Sequence, residues 1–153
     1  QEKFTYFWRY ESPFSQHYPV TFELDGMTFN CAEQYYMFKK ADTFGDQRSI
    51  FNIMKSCSPI AQKSLGRKVA GFDRNKWDAI SRQIVRKANF AKFSQNEELL
   101  QILLSTRGTT LVEASPKDAL WGINLEADNY LVLKRNWWRG QNWLGEELTK
   151  LRD

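Results

Sequence analysis

The sequence predicts an α+β fold: a predominantly helical single domain with a small β-hairpin or sheet, spanning residues 1–153. Asp25-Gly26 lies between short alternating segments, which is a strong short-range signal for a β-hairpin. Segments with apolar residues at helical spacing follow it, the longest over residues 75–93. Neither a repeat nor a linker interrupts the chain, and 153 residues are enough for one hydrophobic core.

The first part of the chain supplies most of the predicted strands. Residues 4–10 are aromatic and β-prone, and Ser12-Pro13 ends this segment. Residues 19–24 and 27–29 form the two arms of the predicted hairpin. A further short strand is predicted much later, over residues 109–113.

Most of the remaining chain is predicted to be helical. The first helix starts after Asn30, which we predict to cap it with Glu33 at the spacing of a capping box, and it ends near Gly45-Asp46. Residues 114–122 are predicted to form an irregular loop. The other helices are predicted over residues 50–54, 60–65, 75–93, 96–105 and 143–152, and the leucines at 99, 100, 103 and 104 are expected in the core.

Composition indicates the kind of ligand. Aromatic residues make up 15% of the chain, and six tryptophans exceed what core filling needs, so some are expected to line a concave site for a flat ligand. A net charge of +4 suits phosphate-bearing ligands or nucleic acid. Cys31, Cys57 and a single histidine, His17, are too few ligands for a structural zinc site. We therefore expect neither a metal nor a cofactor.

Targeting signals are absent from the sequence. It contains no signal peptide, no transmembrane segment and no low-complexity segment. The first residue is Gln1 rather than Met, as expected of a chain trimmed at its N-terminus. An intracellular, cytoplasmic monomer with no membrane partner is expected; reduced cysteines are the default, and a disulfide is the alternative.

The first predicted helix carries a stripe of mixed chemistry. Glu33, Tyr36, Met37 and Lys40 lie at offsets of 0, +3, +4 and +7, which places them on one face. A carboxylate and an ammonium on a stripe with apolar members are not expected to be ordinary surface charges. The alternative is an amphipathic helix whose charges lie at the rim, with Glu33 serving only as a cap. The pattern alone does not decide between the two.

Two further places combine an acid with an indole. Trp77 precedes Asp78 near the start of the long helix, where a core Trp and a helix-dipole Asp are the alternative interpretation. Asp118 lies in a loop after a strand, close to Trp121 and Gly122. The alternative there is an Asx-type turn with a packed Trp.

The start of the last helix offers a possible phosphate site. Arg139 and Gly140 precede Asn142, and backbone amides at a helix N-terminus bind anions. Many helices start in this way, so the signal is weak when taken alone.

The carboxylates, lysines and indoles of this sequence indicate one type of chemistry. No GxGxxG, P-loop, HExxH or GxSxG motif occurs, and a catalytic triad would have to use His17, which nothing in the sequence supports. A carboxylate pair beside a tryptophan suits cleavage of a glycosidic bond next to a planar base. A lysine could instead attack the anomeric carbon and form a Schiff base.

Four blocks of this sequence resemble the NADAR (YbiA-like) domain family. The blocks cover residues 12–19, 31–41, 111–122 and 138–145, and residues 91–93 also match. Their order and spacing match over essentially the whole chain. The resemblance implies an N-glycosidase with a YbiA-like fold that cleaves the bond between ribose C1 and an exocyclic amine nitrogen.

The same resemblance implies which residues form the site. Glu33 falls on the family's catalytic glutamate, Lys40 on the lysine of the same helix, and Asp118 on a further active-site position. Gln16 stands where many members carry Asn, so we expect its ligand contact to be kept but shifted. The resemblance and the residue patterns together predict the substrate-binding residues Ser15, Gln16, Tyr36, Trp77, Trp121, Gly122, Arg139, Gly140 and Asn142.

Several functions remain open at this point. The leading hypothesis is removal of ADP-ribose from ADP-ribosylated guanine in nucleic acid. The second is hydrolysis of a small ribosyl-phosphate substrate, the early riboflavin-pathway ribosylamino-pyrimidine phosphates, to ribose 5-phosphate. A non-catalytic ADP-ribose-binding or nucleotide-binding module, and a nucleic-acid binder that uses the basic long helix, are the alternatives from another class.

Overall fold

The computed structural model describes every residue from Gln1 to Asp153. In chain order the elements are β1 (Phe4–Phe7), β2 (Phe22–Leu24), β3 (Met27–Phe29), α1 (Ala32–Thr43), α2 (Gln47–Lys55), α3 (Pro59–Gly66), α4 (Arg74–Ser94), α5 (Glu97–Leu104), β4 (Thr110–Glu113), two 3₁₀ turns (Tyr130–Leu133 and Arg135–Trp137) and α6 (Trp143–Arg152). The predicted α+β, mostly helical fold is confirmed. No helix combines the length and hydrophobicity that crossing a bilayer requires.

The chain divides into two compact units. Residues 16–96 form one, called here the helical unit, and residues 1–15 together with 97–153 form the other, called the terminal unit. The single domain predicted for residues 1–153 stays a prediction.

The helical unit begins with the predicted hairpin and continues with four helices. β2 and β3 pair antiparallel around Asp25 and Gly26, whose φ angles of 53° and 76° are the left-handed values that a tight hairpin turn needs. Helix α1 packs against α2, α3 and α4. Its contact with α3 is close, since a Cβ atom on Gly66 would overlap the side chain of Met37. The buried core of this unit is mainly aromatic and aliphatic.

Side-chain caps explain where the later helices of this unit begin. Asp46 accepts hydrogen bonds from the backbone N–H and the hydroxyl of Ser49, so α2 starts at residue 47, earlier than the predicted segment. Ser58 caps α3 and Asp73 caps α4 in the same way.

The predicted cap of α1 is wrong. Cys31 is the N-cap residue and its side chain makes no capping hydrogen bond. The side chain of Asn30 instead donates to the carbonyl of Ser56 and accepts from Gln62. The backbone N–H of Glu33 donates to the carbonyl of Gln16, so a distant segment replaces the capping box.

The terminal unit joins the two ends of the chain. β1 pairs in parallel with β4, which the sequence does not predict because the two strands lie more than one hundred residues apart. Helix α6 packs on β4, where the carbonyl of Leu111 would collide with any Cβ atom on Gly145. Residues 114–122 contain neither helix nor strand, as predicted. In α5, Leu99 and Leu103 are buried, whereas Leu100 and Leu104 are only half-buried.

Candidate active site

The predicted stripe of α1 lies on a largely buried face of the helical unit. Glu33 is 6% exposed and Met37 is buried, while Tyr36 and Lys40 are half-buried. His17 is a titratable neighbour of Glu33: its Nε2 lies 4.0 Å from Oε2 of Glu33. Burial and the nearby charge of Lys63 lower the pKa of His17, which therefore is mainly neutral near pH 7. The two charges of the stripe are not ordinary surface charges.

Tyr36 and Trp77 form the aromatic part of this face. Their ring centroids are 5.1 Å apart, and Phe44 lies 6.5 Å from the same indole. Trp77 is only 5% exposed and belongs to the core of the unit. The structure thus supports a packing role for Trp77, and its predicted contact with a ligand stays a prediction.

Lys40 ends the stripe beside an exposed aromatic ring. Its Nζ lies 4.5 Å from the centroid of Phe72, within cation–π range. Burial lowers its pKa, and so do the charges of Arg74 and Arg67, whereas Glu33 acts in the opposite direction. An amine in this environment gives up its proton more readily than a surface lysine.

An amide pair lies close to the start of α1, where the backbone N–H of Glu33 donates to the carbonyl of Gln16. Asn89 on α4 donates through Nδ2 to Oε1 of Gln16 and to the carbonyl of Val85. The Nε2 donor of Gln16 and the Oδ1 acceptor of Asn89 are buried and have no protein partner. A donor and an acceptor are thus held together next to the segment that carries Glu33, with capacity for further hydrogen bonds.

The predicted loop residues lie in the terminal unit. Asp118 accepts hydrogen bonds through Oδ1 from the backbone N–H groups of Leu120 and Trp121, which is the Asx-type turn considered above. Trp121 is half-buried and meets Trp143 edge to face at 5.5 Å. The other carboxyl oxygen of Asp118 takes no part in this turn, and its catalytic role stays a prediction.

Three residues of the terminal unit that were predicted to contact a ligand also have a structural role. A Cβ atom on Gly140 would overlap the carbonyl of Gly122, and one on Gly122 would lie 2.9 Å from the carbonyl of Glu113. Asn142 is 0% exposed, and both ends of its side-chain amide bond to the backbone of β4. These observations explain why small residues and an amide occupy these positions without reference to a ligand.

The first two amides of α6 and the two before them are already hydrogen-bonded. The N–H groups of residues 141, 142, 143 and 144 donate to the carbonyls of residues 119, 122, 120 and 121, at 2.8–3.1 Å. They are therefore not available to a phosphate, and the exposed side chain of Arg139 is what remains of that predicted site. Ser15 also lies in the terminal unit, half-buried, and its N–H donates to the carbonyl of Ser12.

Comparison with known proteins shows the family of this chain. The NADAR domain model matches residues 6–153. The chain belongs to the NADAR domain family. It is 43% identical over 145 residues to N-glycosidase R617 of Acanthamoeba polyphaga mimivirus, covering 92% of this chain and 85% of that protein. It is 32% identical over 131 residues to N-glycosidase YbiA of Escherichia coli, covering 86% and 73%.

The fold comparison leads to the same family. The NMR structure of Escherichia coli YbiA matches with a TM-score of 0.80 and 30% identity, covering 99% of this chain and 84% of that one. The predicted resemblance to the NADAR family is thus confirmed. So is the predicted class of enzyme, a hydrolase that acts on N-glycosyl bonds.

Two titratable residues of this NADAR domain, one half-buried and one fully buried, escaped the sequence analysis as functional candidates. His17 is assigned no role from the sequence, yet it lies beside Glu33. Lys92 is 0% exposed, with its Nζ 5.7 Å from the ring of Tyr18 and 5.0 Å from that of Phe93. The sequence signals for Lys92 are its position among the apolar residues at the end of α4 and the family match of residues 91–93.

The buried Lys92 predicts an unusual pH dependence of stability. Burial lowers its pKa to about 7, so the folded chain releases this proton while the unfolded chain still holds it. The free energy of unfolding should therefore rise by about 1–2 kcal/mol between pH 7 and 8.5. Above that range the Cys31 thiol, whose pKa burial raises to about 11, opposes the rise.

Urea unfolding at several pH values tests this expectation. Lys92→Met should flatten the slope between pH 7 and 8.5, whereas the same change at the exposed Lys76 should leave it as in the wild type. Parallel slopes for wild type and Lys92→Met would contradict it.

Proposed function

We propose that the protein hydrolyses the bond between ribose C1 and an exocyclic amine nitrogen, and that its substrate is ADP-ribose attached to guanine in nucleic acid. The observation that carries the proposal is Glu33, a carboxyl group that is 6% exposed on the same helix face as Tyr36 and Lys40. Membership of a family with relatives named N-glycosidases supports the same type of reaction.

Hydrolysis of this bond requires one carboxylate close to C1 of the ribose. As the C1–N bond breaks, positive charge develops on C1 and on the ring oxygen, and a nearby carboxylate stabilises it. The Glu33 carboxylate also accepts a proton from the water whose oxygen bonds to C1. The amine nitrogen keeps the electron pair of the broken bond and takes up a proton. The products are the free guanine amine and ADP-ribose with a hydroxyl on C1.

Charge supports a polyanionic substrate. The chain carries a net charge of +4. On α4, the side chains of Arg74 and Arg86 are exposed. Basic side chains of this kind bind nucleic acid through its phosphates, with an affinity that falls as salt is added.

Parallel incubations test the substrate. One contains an oligodeoxynucleotide with ADP-ribosylated guanine and the other a ribosylaminouracil 5′-phosphate, both with EDTA, and released sugars are followed by chromatography. We expect release of ADP-ribose from the oligonucleotide and restoration of its unmodified guanine. Release of ribose 5-phosphate alone would overturn the choice of substrate. Tight binding of ADP-ribose without a product from either substrate would make the protein a binding module.

A further inference from the structure

Three cations converge at the far end of the α1 stripe. Arg67 follows the last residue of α3, Arg74 is the first residue of α4, and both act electrostatically on Lys40. The neighbouring Lys39 is paired with Asp42, and Lys87 is paired with Asp25. No carboxylate forms such a pair with Lys40, Arg67 or Arg74.

An exposed aromatic ring holds this group together. Phe72 is 38% exposed, with Lys40 Nζ 4.5 Å and Arg74 Cζ 6.0 Å from its centroid. Gly66, the residue before Arg67, is in close contact with Met37. Met37 lies three residues before Lys40 on α1, so this contact brings Arg67 toward Lys40. The two arginine side chains are exposed and Lys40 is half-buried, so an incoming ligand can reach all three.

Such a group is unfavourable without an anion. Like charges disfavour one another, and partial burial removes the water that would screen them. The pKa of Lys40 is lowered accordingly: burial and the charge of Arg74 lower it more than the Glu33 carboxylate raises it. A bound phosphate would offset these repulsions by accepting charge-assisted hydrogen bonds from the three side chains. An arginine can donate two such bonds to one phosphate.

We propose that Lys40, Arg67 and Arg74 bind the phosphate carried by the 5′ oxygen of the substrate ribose. The assignment rests on the proposed function, because ADP-ribose and the smaller ribosyl phosphates share this group. It also moves the phosphate site away from the start of α6, whose amides are already bonded. Lys40 then acts through its charge rather than as a nucleophile.

The spacing along α1 fits this orientation of the sugar. Glu33 and Lys40 are seven residues apart on one face, which is about 10 Å along the helix axis. In a ribofuranosyl phosphate, the 5′ phosphate is attached through C5 to C4, which lies across the ring oxygen from C1. A phosphate held at Lys40 therefore leaves C1 directed toward Glu33.

Binding of products tests the site without requiring turnover. Tryptophan fluorescence or calorimetry with ribose 5-phosphate, ribose and ADP-ribose compares wild type with Arg67→Gln and Arg74→Gln. Each variant should bind ribose 5-phosphate and ADP-ribose roughly ten- to hundredfold more weakly and ribose unchanged. Lys76→Gln is the matched control, since it removes the same charge two residues further along α4, on another side of the helix, and should stay within about twofold.

The outcomes separate this site from the proposed reaction. Unchanged phosphate affinity in both arginine variants, or an equal loss for ribose and ribose 5-phosphate, would overturn the phosphate site whatever the enzyme hydrolyses. Phosphate-selective binding with no turnover of any substrate would uphold the site and remove the proposed function. Borohydride reduction during turnover should leave Lys40 unmodified by mass spectrometry, and a sugar adduct on Lys40 would overturn its assignment.

Discussion

Glu33→Gln should reduce kcat by about a thousandfold while leaving the fold intact, the scale expected when a proton-transferring carboxylate is lost. Gln has almost the same shape as Glu, so the contacts of Tyr36 and Lys40 along the same face should remain. The backbone hydrogen bond from residue 33 to the carbonyl of Gln16 is also independent of the side chain. The substitution therefore removes the charge and little else.

Single-turnover kinetics with ADP-ribosylated oligonucleotide measures this effect, and product affinity is measured beside it. ADP-ribose should bind the variant within a few-fold of wild type, because the proposed phosphate site consists of Lys40, Arg67 and Arg74 and does not include residue 33. Glu23→Gln is the matched control: the same change on the exposed side of β2, where full activity is expected. Wild-type turnover by Glu33→Gln would mean that another group performs the chemistry.

Local periodicity was sufficient to place the stripe residues of α1 on one face. The 3.6-residue repeat places Glu33, Tyr36, Met37 and Lys40 together whatever the rest of the chain does. The Asp25-Gly26 hairpin was predictable for the same reason, because its turn chemistry is contained in a few residues.

Contacts between distant segments were not predictable in this way. His17 reaches Glu33 across a hairpin, and α3 and α4 bring Arg67 and Arg74 to Lys40. Nothing in the spacing of these residues indicates proximity, since tertiary packing decides which helix ends meet. The capping box failed for the same reason: Gln16 supplies the carbonyl that bonds to the N–H of Glu33.

The start of α6 shows how a correct local pattern can suggest the wrong chemistry. A helix does begin at Trp143 after Arg139-Gly140, as predicted. Its first amides are nevertheless occupied by the carbonyls of the preceding loop. Sequence identifies the end of a helix, but only the fold shows whether the groups there are free.

Asn142→Ala should lower the free energy of unfolding by at least about 3 kcal/mol. The side chain is fully buried, with Oδ1 accepting from the N–H of Glu113 and Nδ2 donating to the carbonyl of Leu111, each at 3.0 Å. Its removal leaves two backbone groups of β4 without partners. Alanine is also strained at the φ of 55° that Asn142 adopts.

Urea unfolding of matched variants separates these contributions. Asn142→Gly loses the same hydrogen bonds but tolerates a positive φ, so it should be about 1 kcal/mol more stable than Asn142→Ala. Gln141→Ala, at the exposed neighbouring position, should stay within about 0.5 kcal/mol of wild type. If Asn142→Ala instead keeps wild-type stability and loses affinity for ADP-ribose, Asn142 binds the ligand, as the family resemblance implies, and β4 does not depend on it.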